Sequence, residues 1–337
     1  MIIDEVIGIA TISQIAAEAN VSSALVSRVL NNKSGVSPEN RAKINAIIKK
    51  HNYVPNAIAR SLVTQKTATI GVVMDSLTER YLFDVISGIQ STAEDYGYNV
   101  VFCGGSNDAK IKLKYIDYFS RGRVDGVIAH GCRSQELFIE IIEKASHYVI
   151  IEGDIPGKIF NKVLVNNFEG AYRATSHLIG LGCRNIVHFT GDMEYNVSAD
   201  RLNGFLRAMN DNSLPVDNAI IDCDFRETTA YNIMKGLISE GRIPEAGFAA
   251  ADKSVYGILR ALSEHGLSAP GDIALIGFDG DVPDSRDMVF PKLTTMSQPL
   301  FEMGKEAVRL LVRSIEDPDA LPVATVFNTE LIAGETC

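Results

Sequence analysis

The 337-residue sequence predicts an α/β protein with a small helical head: an N-terminal helix-turn-helix unit and a hinge helix, then two doubly wound α/β lobes. Three observations carry that expectation. Charge is divided unevenly along the chain, helix-capping signals recur through the first fifty residues, and apolar runs alternate with amphipathic stretches from Thr69 and again from Asn185. At 46% hydrophobic the chain is long enough for more than one core. The expected bounds are 1–53 for the head, 54–66 for the hinge helix and linker, and 67–337 for the body.

The formal net charge of −10, taken alone, argues against a polyanionic partner. Its distribution reverses the inference. Residues 1–66 hold 8 of the 32 Lys/Arg and 4 of the 42 Asp/Glu, so this N-terminal segment is net +4 and the remainder net −14. A basic segment on an acidic body points to a chain that meets nucleic acid through that segment. The five cysteines (Cys103, Cys132, Cys183, Cys223, Cys337) are odd in number and show no C-x-x-C, which predicts reduced thiols and neither a disulfide framework nor a zinc cage. No run of about 18 apolar residues occurs, and Met1 to Ala10 lack a basic segment and a cleavage-type site. A cytoplasmic protein with no membrane partner is expected.

In the head, Thr11-Ile12-Ser13-Gln14 reads as a capping box that starts the first helix, which stops at Asn20, a residue tolerant of a left-handed turn. Ser22 then caps a second helix, Ser23 to Leu30, and the pair forms a helix-turn-helix. Ser37-Pro38-Glu39 opens a third helix to about His51, with a shared core of Ile15, Val26, Val29, Leu30, Ile44 and Ile47. Pro55 blocks continuation, so Asn56 to Leu62 forms one short helix, too short to be stable alone in water.

The body reads as strands Ile70–Met74, Asn99–Phe102 and Val124–Ala129 interleaved with helices Leu82–Tyr96 and Ile111–Arg121. The alternation resumes with strands at Asn185–Phe189, Ala219–Ile221, Gly247–Ala250 and Ile273–Asp279. Two similar lobes follow from this repetition. Ligands in such sheets sit at the carboxyl ends of strands.

The literal strings say more. Thr11-Ile12-Ser13-Gln14-Ile15-Ala16, Asn20-Val21-Ser22, Val26-Ser27-Arg28-Val29-Leu30-Asn31 and Tyr53-Val54-Pro55-Asn56-Ala57-Ile58-Ala59-Arg60-Ser61-Leu62 closely resemble the head of the LacI/GalR family. Arg123-Val124-Asp125-Gly126-Val127-Ile128, Asp200-Arg201-Leu202-Asn203-Gly204-Phe205, Gly277-Phe278-Asp279 and Leu293-Thr294-Thr295-Met296-Ser297-Gln298-Pro299 resemble its periplasmic-binding-protein-like core. The resemblance spans almost the whole chain. It implies a repressor of transcription that binds a palindromic operator in double-stranded DNA as a homodimer, with affinity controlled by a small molecule, a sugar or sugar derivative by family default. It also implies three crossovers, near 166, 293 and 324, so that lobe 1 comprises about 67–166 and 294–323 and lobe 2 about 167–293 and 324–337.

By the same resemblance the DNA-contacting set is Thr11, Ser22, Ser23, Ala24, Ser27, Arg28, Asn31, Tyr53, Asn56, Ala59 and Leu62. Arg28 can fork onto a guanine edge, Ser23 and Ala24 stand where the second helix begins, and Ser27 and Asn31 suit phosphates or nearby backbone. Leu25 departs from the usual Thr. Ala59 would enter the minor groove and Leu62 would wedge a base step, or rest on the body when DNA is absent.

The expected effector-contacting set is Tyr81, Arg80, Arg201, Phe225, Asp252 and Asp279, of which Asp279, Arg201, Phe225 and Tyr81 match the family's usual contacts. Asp279 either accepts hydrogen bonds from ligand hydroxyls or caps the turn after its strand; Arg201 either donates a fork of hydrogen bonds or forms a salt bridge; Phe225 either stacks on a ring or fills core. The cleft strings depart from the family. Glu79-Arg80-Tyr81-Leu82 stands for Asn-Pro-Phe-Phe, Ala251-Asp252 for Asn-Asp, Asn166-Asn167 for Asp-Asn and Gly182-Cys183 for Gly-His. A ligand carrying an anionic group near Arg80 and Arg201 therefore stays open beside the sugar default.

An α/β enzyme is the competing class, but no G-x-G-x-x-G follows the first strand, and no P-loop, no G-x-S-x-G elbow and no H-E-x-x-H occurs. No catalytic residue, cofactor or metal is expected. A solute-binding protein without a DNA role would share the body but needs no basic head.

Overall fold

The computed structural model describes residues 10–53, 66–77, 79–104, 109–131, 135–155, 157–281 and 290–337. The chain divides into two compact units, Met1–Thr67 and Ala68–Cys337.

In the first unit, helix α1 (Ile12–Ala19) begins where Gln14 N–H donates to Thr11 Oγ1 and Thr11 N–H donates to Gln14 Oε1, a reciprocal capping box, and ends at Asn20 with φ +54°. Helix α2 (Ser23–Leu30) is capped by Ser22 and α3 (Pro38–Lys50) by Ser37, with proline in the first turn of α3 where its missing N–H costs nothing. Ile15, Ala19, Val26, Val29, Ile44 and Ile47 are buried together. Each such aliphatic side chain contributes about 1.5–3 kcal/mol by leaving water. Glu18 pairs with Lys50 at 2.7 Å and His51 at 2.5 Å, joining α1 to the end of α3. The hinge helix expected over 56–62 lies outside the described residues.

Among its described residues the second unit holds two six-stranded sheets. The first is built from β1 (Thr69–Met74), β2 (Asn99–Cys103), β3 (Gly126–His130), β4 (Tyr148–Ile151), β5 (Lys162–Val165) and β11 (Ala324–Phe327), in the order β11-β5-β4-β3-β1-β2, all parallel. The second has β6 (Ile186–Thr190), β7 (Ile220–Asp222), β8 (Ala246–Ala249), β9 (Ala274–Asp279), β10 (Thr294–Ser297) and β12 (Glu330–Ile332), in the order β12-β10-β9-β8-β6-β7; only β12 runs antiparallel. In both, the strand order reverses beside the first strand of the lobe, between β1 and β3 and between β6 and β8. Such reversals open a crevice at the strands' carboxyl ends.

Strand periodicity sorts the core. In the first sheet Ile70, Val72 and Met74 face helices α4 (Leu82–Asp95) and α11 (Leu300–Glu316), while Val73, Val127 and Ile150 face α5 (Ala109–Ser120) and α6 (Gln135–Lys144). Helices α4 and α11 touch backbone to backbone, since a Cβ on Gly88 would strike the Phe301 carbonyl and one on Gly304 the Val85 carbonyl. In the second sheet α7 (Asn167–Gly180) and α8 (Asn196–Asp211) cover one face, and α9 (Glu227–Ser239) and α10 (Asp252–Glu264) the other.

The first crossover falls where the sequence suggested, and the other two fall later. Residues 294–297 pair with β9 in the second sheet and 324–327 pair with β5 in the first, so the chain changes lobes after Val165, Ser297 and Phe327. Expected lobe bounds at 293–294 and 323–324 are corrected accordingly. Both strands span four residues, and the alternating exposure of β11 marks an edge with one wet face. Neither gives a long apolar run.

Candidate functional site

Two surfaces collect the residues singled out in the sequence. On the head, Ser22, Ser23, Ala24, Arg28 and Asn31 are exposed while Val26 and Val29 point into the core, so α2 presents one polar face. Arg28 reaches over Gly35, whose φ of +84° admits the tight turn after the helix. The Asn31 amide donates to the Ser27 carbonyl at 2.8 Å, and the Thr11 hydroxyl serves the α1 cap, so both partly engage their own backbone. Ser27 and Tyr53 are half-buried. Asn56, Ala59 and Leu62 lie outside the described residues.

In the body a cavity of about 550 Å³ opens between the carboxyl ends of the two sheets. Asp75 follows β1, His130 ends β3, Glu152 follows β4, Asp279 ends β9 and Gln298 follows β10. Topology thus delivers residues more than two hundred positions apart to one wall. Another depression, about 980 Å³, lies at the amino ends of β6 to β8, where Glu245 accepts from the backbone of Arg184 and Asn185; it holds none of the expected site residues.

Four of the six expected effector residues line the cavity: Tyr81, Arg201, Phe225 and Asp279. Arg201 is 3% exposed. Its Nε donates to Asn167 Oδ1 at 2.8 Å and its Nη1 to the Ala250 carbonyl at 2.5 Å; it stacks 3.7 Å over the Phe278 ring and stands 3.6 Å from Asp279 Oδ1. Asp279 accepts from Gln298 Nε2 at 2.7 Å and sits at φ +118°. Burial pushes its carboxyl up to about 7, against the pull of Arg201. Phe225, at φ +65°, lies so close over Gly191 that a Cβ there would enter its ring, and it meets Tyr195 edge-on at 6.1 Å. Burial raises the Tyr81 phenol far above its ordinary value, with the Asp279 and Glu152 charges adding to it.

Arg80 and Asp252 depart from the expectation. Arg80 is exposed, pairs with Asp281 at 3.5 Å and stands off the cavity wall. Asp252 is fully buried at the start of α10, where Oδ2 accepts from the N–H groups of Gly280 (2.9 Å) and Asp281 (2.7 Å), and Oδ1 accepts from Thr295 Oγ1 (2.7 Å). The turn after β9 is therefore held by Asp252, and Asp279 is left facing the cavity. Burial, then the Asp279 charge, raises the Asp252 carboxyl.

Sequence reasoning missed Asp75, His130, Glu152, Tyr195 and Gln298. Four of them end or directly follow a strand, the place the sheet rule indicates. Asp75 forms a buried ion pair with Lys112 and accepts from Tyr195 Oη at 2.7 Å across the lobes; Lys253 likewise meets Glu79 at 2.9 Å. His130 Nδ1 and Gln298 Oε1 are buried and lack a protein partner. Burial drives His130 down to about 4, so the ring is neutral. Among the described residues no cluster of His, Cys, Asp and Glu could hold a metal ion, and no helix is long and apolar enough to cross a membrane.

Comparison with known proteins bears on both surfaces. Residues 11–56 match the family described as bacterial regulatory proteins, lacI family, and residues 175–337 match the periplasmic binding protein-like domain. The chain is 32% identical over 322 residues to the HTH-type transcriptional repressor PurR of Escherichia coli, covering 93% of this chain and 94% of that one. Against catabolite control protein A of Priestia megaterium it is 30% identical over 306 residues, 90% of this chain and 92% of the other. Among solved structures, the lac repressor dimer bound to operator and the anti-inducer ONPF is similar at a TM-score of 0.86 and 25% identity, covering 97% of this chain and 98% of that one. The complex of the transcriptional regulator CelR with cellobiose is similar at 0.73 and 27%, covering 97% and 100%.

Proposed function

The chain belongs to the lacI family of bacterial regulatory proteins, a family of DNA-binding transcription regulators, and from that premise we propose how its two surfaces divide the work. A homodimer sets one α2 helix per half-site into the major groove of a palindromic operator. Arg28 forks onto guanine O6 and N7, Ser23 and Ala24 meet base edges at the helix start, and Thr11, Ser22, Ser27, Asn31 and Tyr53 position the head on phosphates. Asn56, Ala59 and Leu62 enter the minor groove at the centre of the operator.

The cavity between the lobes holds the effector. Asp279 and Arg201 take its hydroxyls, Phe225 and Tyr81 cover its apolar faces, and Asp75, Glu152, Tyr195 and Gln298 join the contact set. A sugar or sugar derivative is the default class, in keeping with the cellobiose of the CelR complex. Ligand shifts the lobes against one another and remakes the cross-lobe pairs Tyr195–Asp75, Lys253–Glu79 and Arg80–Asp281. That movement alters DNA affinity as a coupling free energy between two sites. The relatives are transcription regulators, and no reaction is proposed for the cleft; the proposed location is the cytoplasm, with the DNA.

The observation that carries the sensing half is the convergence of strand ends from both sheets on a cavity whose buried polar atoms, Gln298 Oε1 and His130 Nδ1, are unpartnered within the protein. The test is selection of duplexes from a random library by the full chain, followed by deletion of residues 1–62. Specific duplex binding is expected to vanish and ligand binding to persist; specific DNA binding by the shortened chain would refute the division of labour.

A further inference from the structure

The cavity wall is one-sided in charge. Its described lining holds seven carboxylates (Asp75, Glu79, Glu152, Asp192, Asp224, Asp279, Asp281) and three bases (Arg201, Arg226, Lys253). Building on the effector-site reading above, we infer that the ligand is a polyhydroxylated amine of amino-sugar size, its ammonium group against Glu152 and its hydroxyls on the neighbouring buried polar atoms.

Most of the carboxylates already have a counter-charge. Asp75 meets Lys112, Glu79 meets Lys253, Asp281 meets Arg80, Asp224 meets Arg226 and Asp279 meets Arg201. Glu152 differs: among the described residues no cation lies within ion-pair distance of its carboxylate, which accepts the Val165 N–H at 3.3 Å and a hydrogen bond from the Asn167 side chain. It is held at φ +58°, in the left-handed region, a strained conformation for a side-chain-bearing residue and one that clusters at ligand clamps. Burial raises its carboxyl, with Arg201 offsetting this only in part, and its charge in turn raises Asp279. One positive charge delivered by a ligand would relieve both groups.

Two further atoms describe the rest of the ligand. Gln298 Oε1 can only accept, and the neutral His130 ring offers Nδ1 as donor or acceptor; both residues line this cavity, both are more than nine-tenths buried, and neither atom has a partner within the protein. Hydroxyls satisfy both. Phe225 and Tyr195 supply ring surface for the C–H face of a pyranose. An anion fits poorly, because Arg201, the one fully buried base on the wall, already engages Asn167, Ala250 and Asp279.

Calorimetry on the full chain with matched sets of hexose, 2-amino-2-deoxyhexose, its N-acetyl derivative and hexose 6-phosphate, in the gluco, galacto and manno series, tests this. In at least one series the amine is expected to bind tenfold or more tighter than the neutral hexose and the N-acetyl form, with no binding of the phosphate. That advantage should shrink as salt rises. Glu152→Gln is expected to bring amine and hexose to within about twofold of each other; because the ratio is read in one protein, any loss of stability cancels. Neutral or phosphorylated members binding as tightly as the amine overturn the inference, and if Asp279→Asn abolishes that binding the effector-site reading survives. Binding of no compound in any series also overturns it, while the effector-site reading still answers to its own duplex-selection test.

Discussion

The head and the cleft treat their polar groups in opposite ways. On α2, Ser23, Ala24 and Arg28 stand in water with Ser27 half-buried, and the helix that carries them is fixed locally, through the Ser22 cap and the Asn31–Ser27 hydrogen bond. In the cleft Arg201 and Asp279, like Asp252 behind them, are less than a tenth exposed, and each is held by residues distant in the chain. Glu152, Asp224, Phe225 and Asp279 also carry positive φ, whereas in the head positive φ falls on Asn20, Asn32, Asn52 and Gly35 at turns. A substitution at an exposed position of α2 should therefore change binding and leave the fold alone. In the cleft, function and stability should move together.

Arg201→Met would break that contrast most sharply. It removes the buried cation that serves Asn167, Ala250 and Asp279, and leaving such a partner unpaired costs about 3–5 kcal/mol. A large fall in Tm with loss of ligand binding is expected; an unchanged Tm would show the network to be dispensable. Asp279 adds a pH signature. Its folded pKa of about 7 lies above the ordinary 3.8, so the folded chain keeps this proton longer than the unfolded chain does. Its contribution to stability is therefore greatest below pH 4 and declines as pH rises through 7. Denaturant unfolding of Asp279→Asn should show the variant gaining on the parent between pH 4 and pH 8.

On the head, Arg28→Ala is expected to cost about 1–3 kcal/mol of specific DNA affinity and relax the preference for guanine, with Tm unchanged. A loss equal on all duplexes would reassign Arg28 to phosphate. The smallest effect expected is that of Thr11→Ala, about 1 kcal/mol of head stability through the lost cap, measured by thermal unfolding.

The same contrast explains what could be read from residues alone. Thr11–Gln14, Asn20, Ser22 and Ser37-Pro38 are local signals, and the three helices they imply are the ones found. The long apolar strands of both lobes were legible for a similar reason. The lobe assignment of 294–297 and 324–327 was not, because a four-residue strand pairs by tertiary context rather than by pattern. Likewise Asp252 at the start of α10 and Asp279 at the end of β9 are both carboxylates near strand ends. Only the fold reveals that one anchors a turn while the other faces the cavity.

Regulation by this chain rests on coupling between cleft and DNA. The direct measurement is fluorescence anisotropy of a selected operator duplex titrated with the full chain, at fixed salt, with and without a ligand shown by calorimetry to bind. A change in operator affinity of about fivefold or more is expected for the parent chain, absent in Asp279→Asn. A ligand that fills the cleft and leaves operator affinity untouched would contradict it.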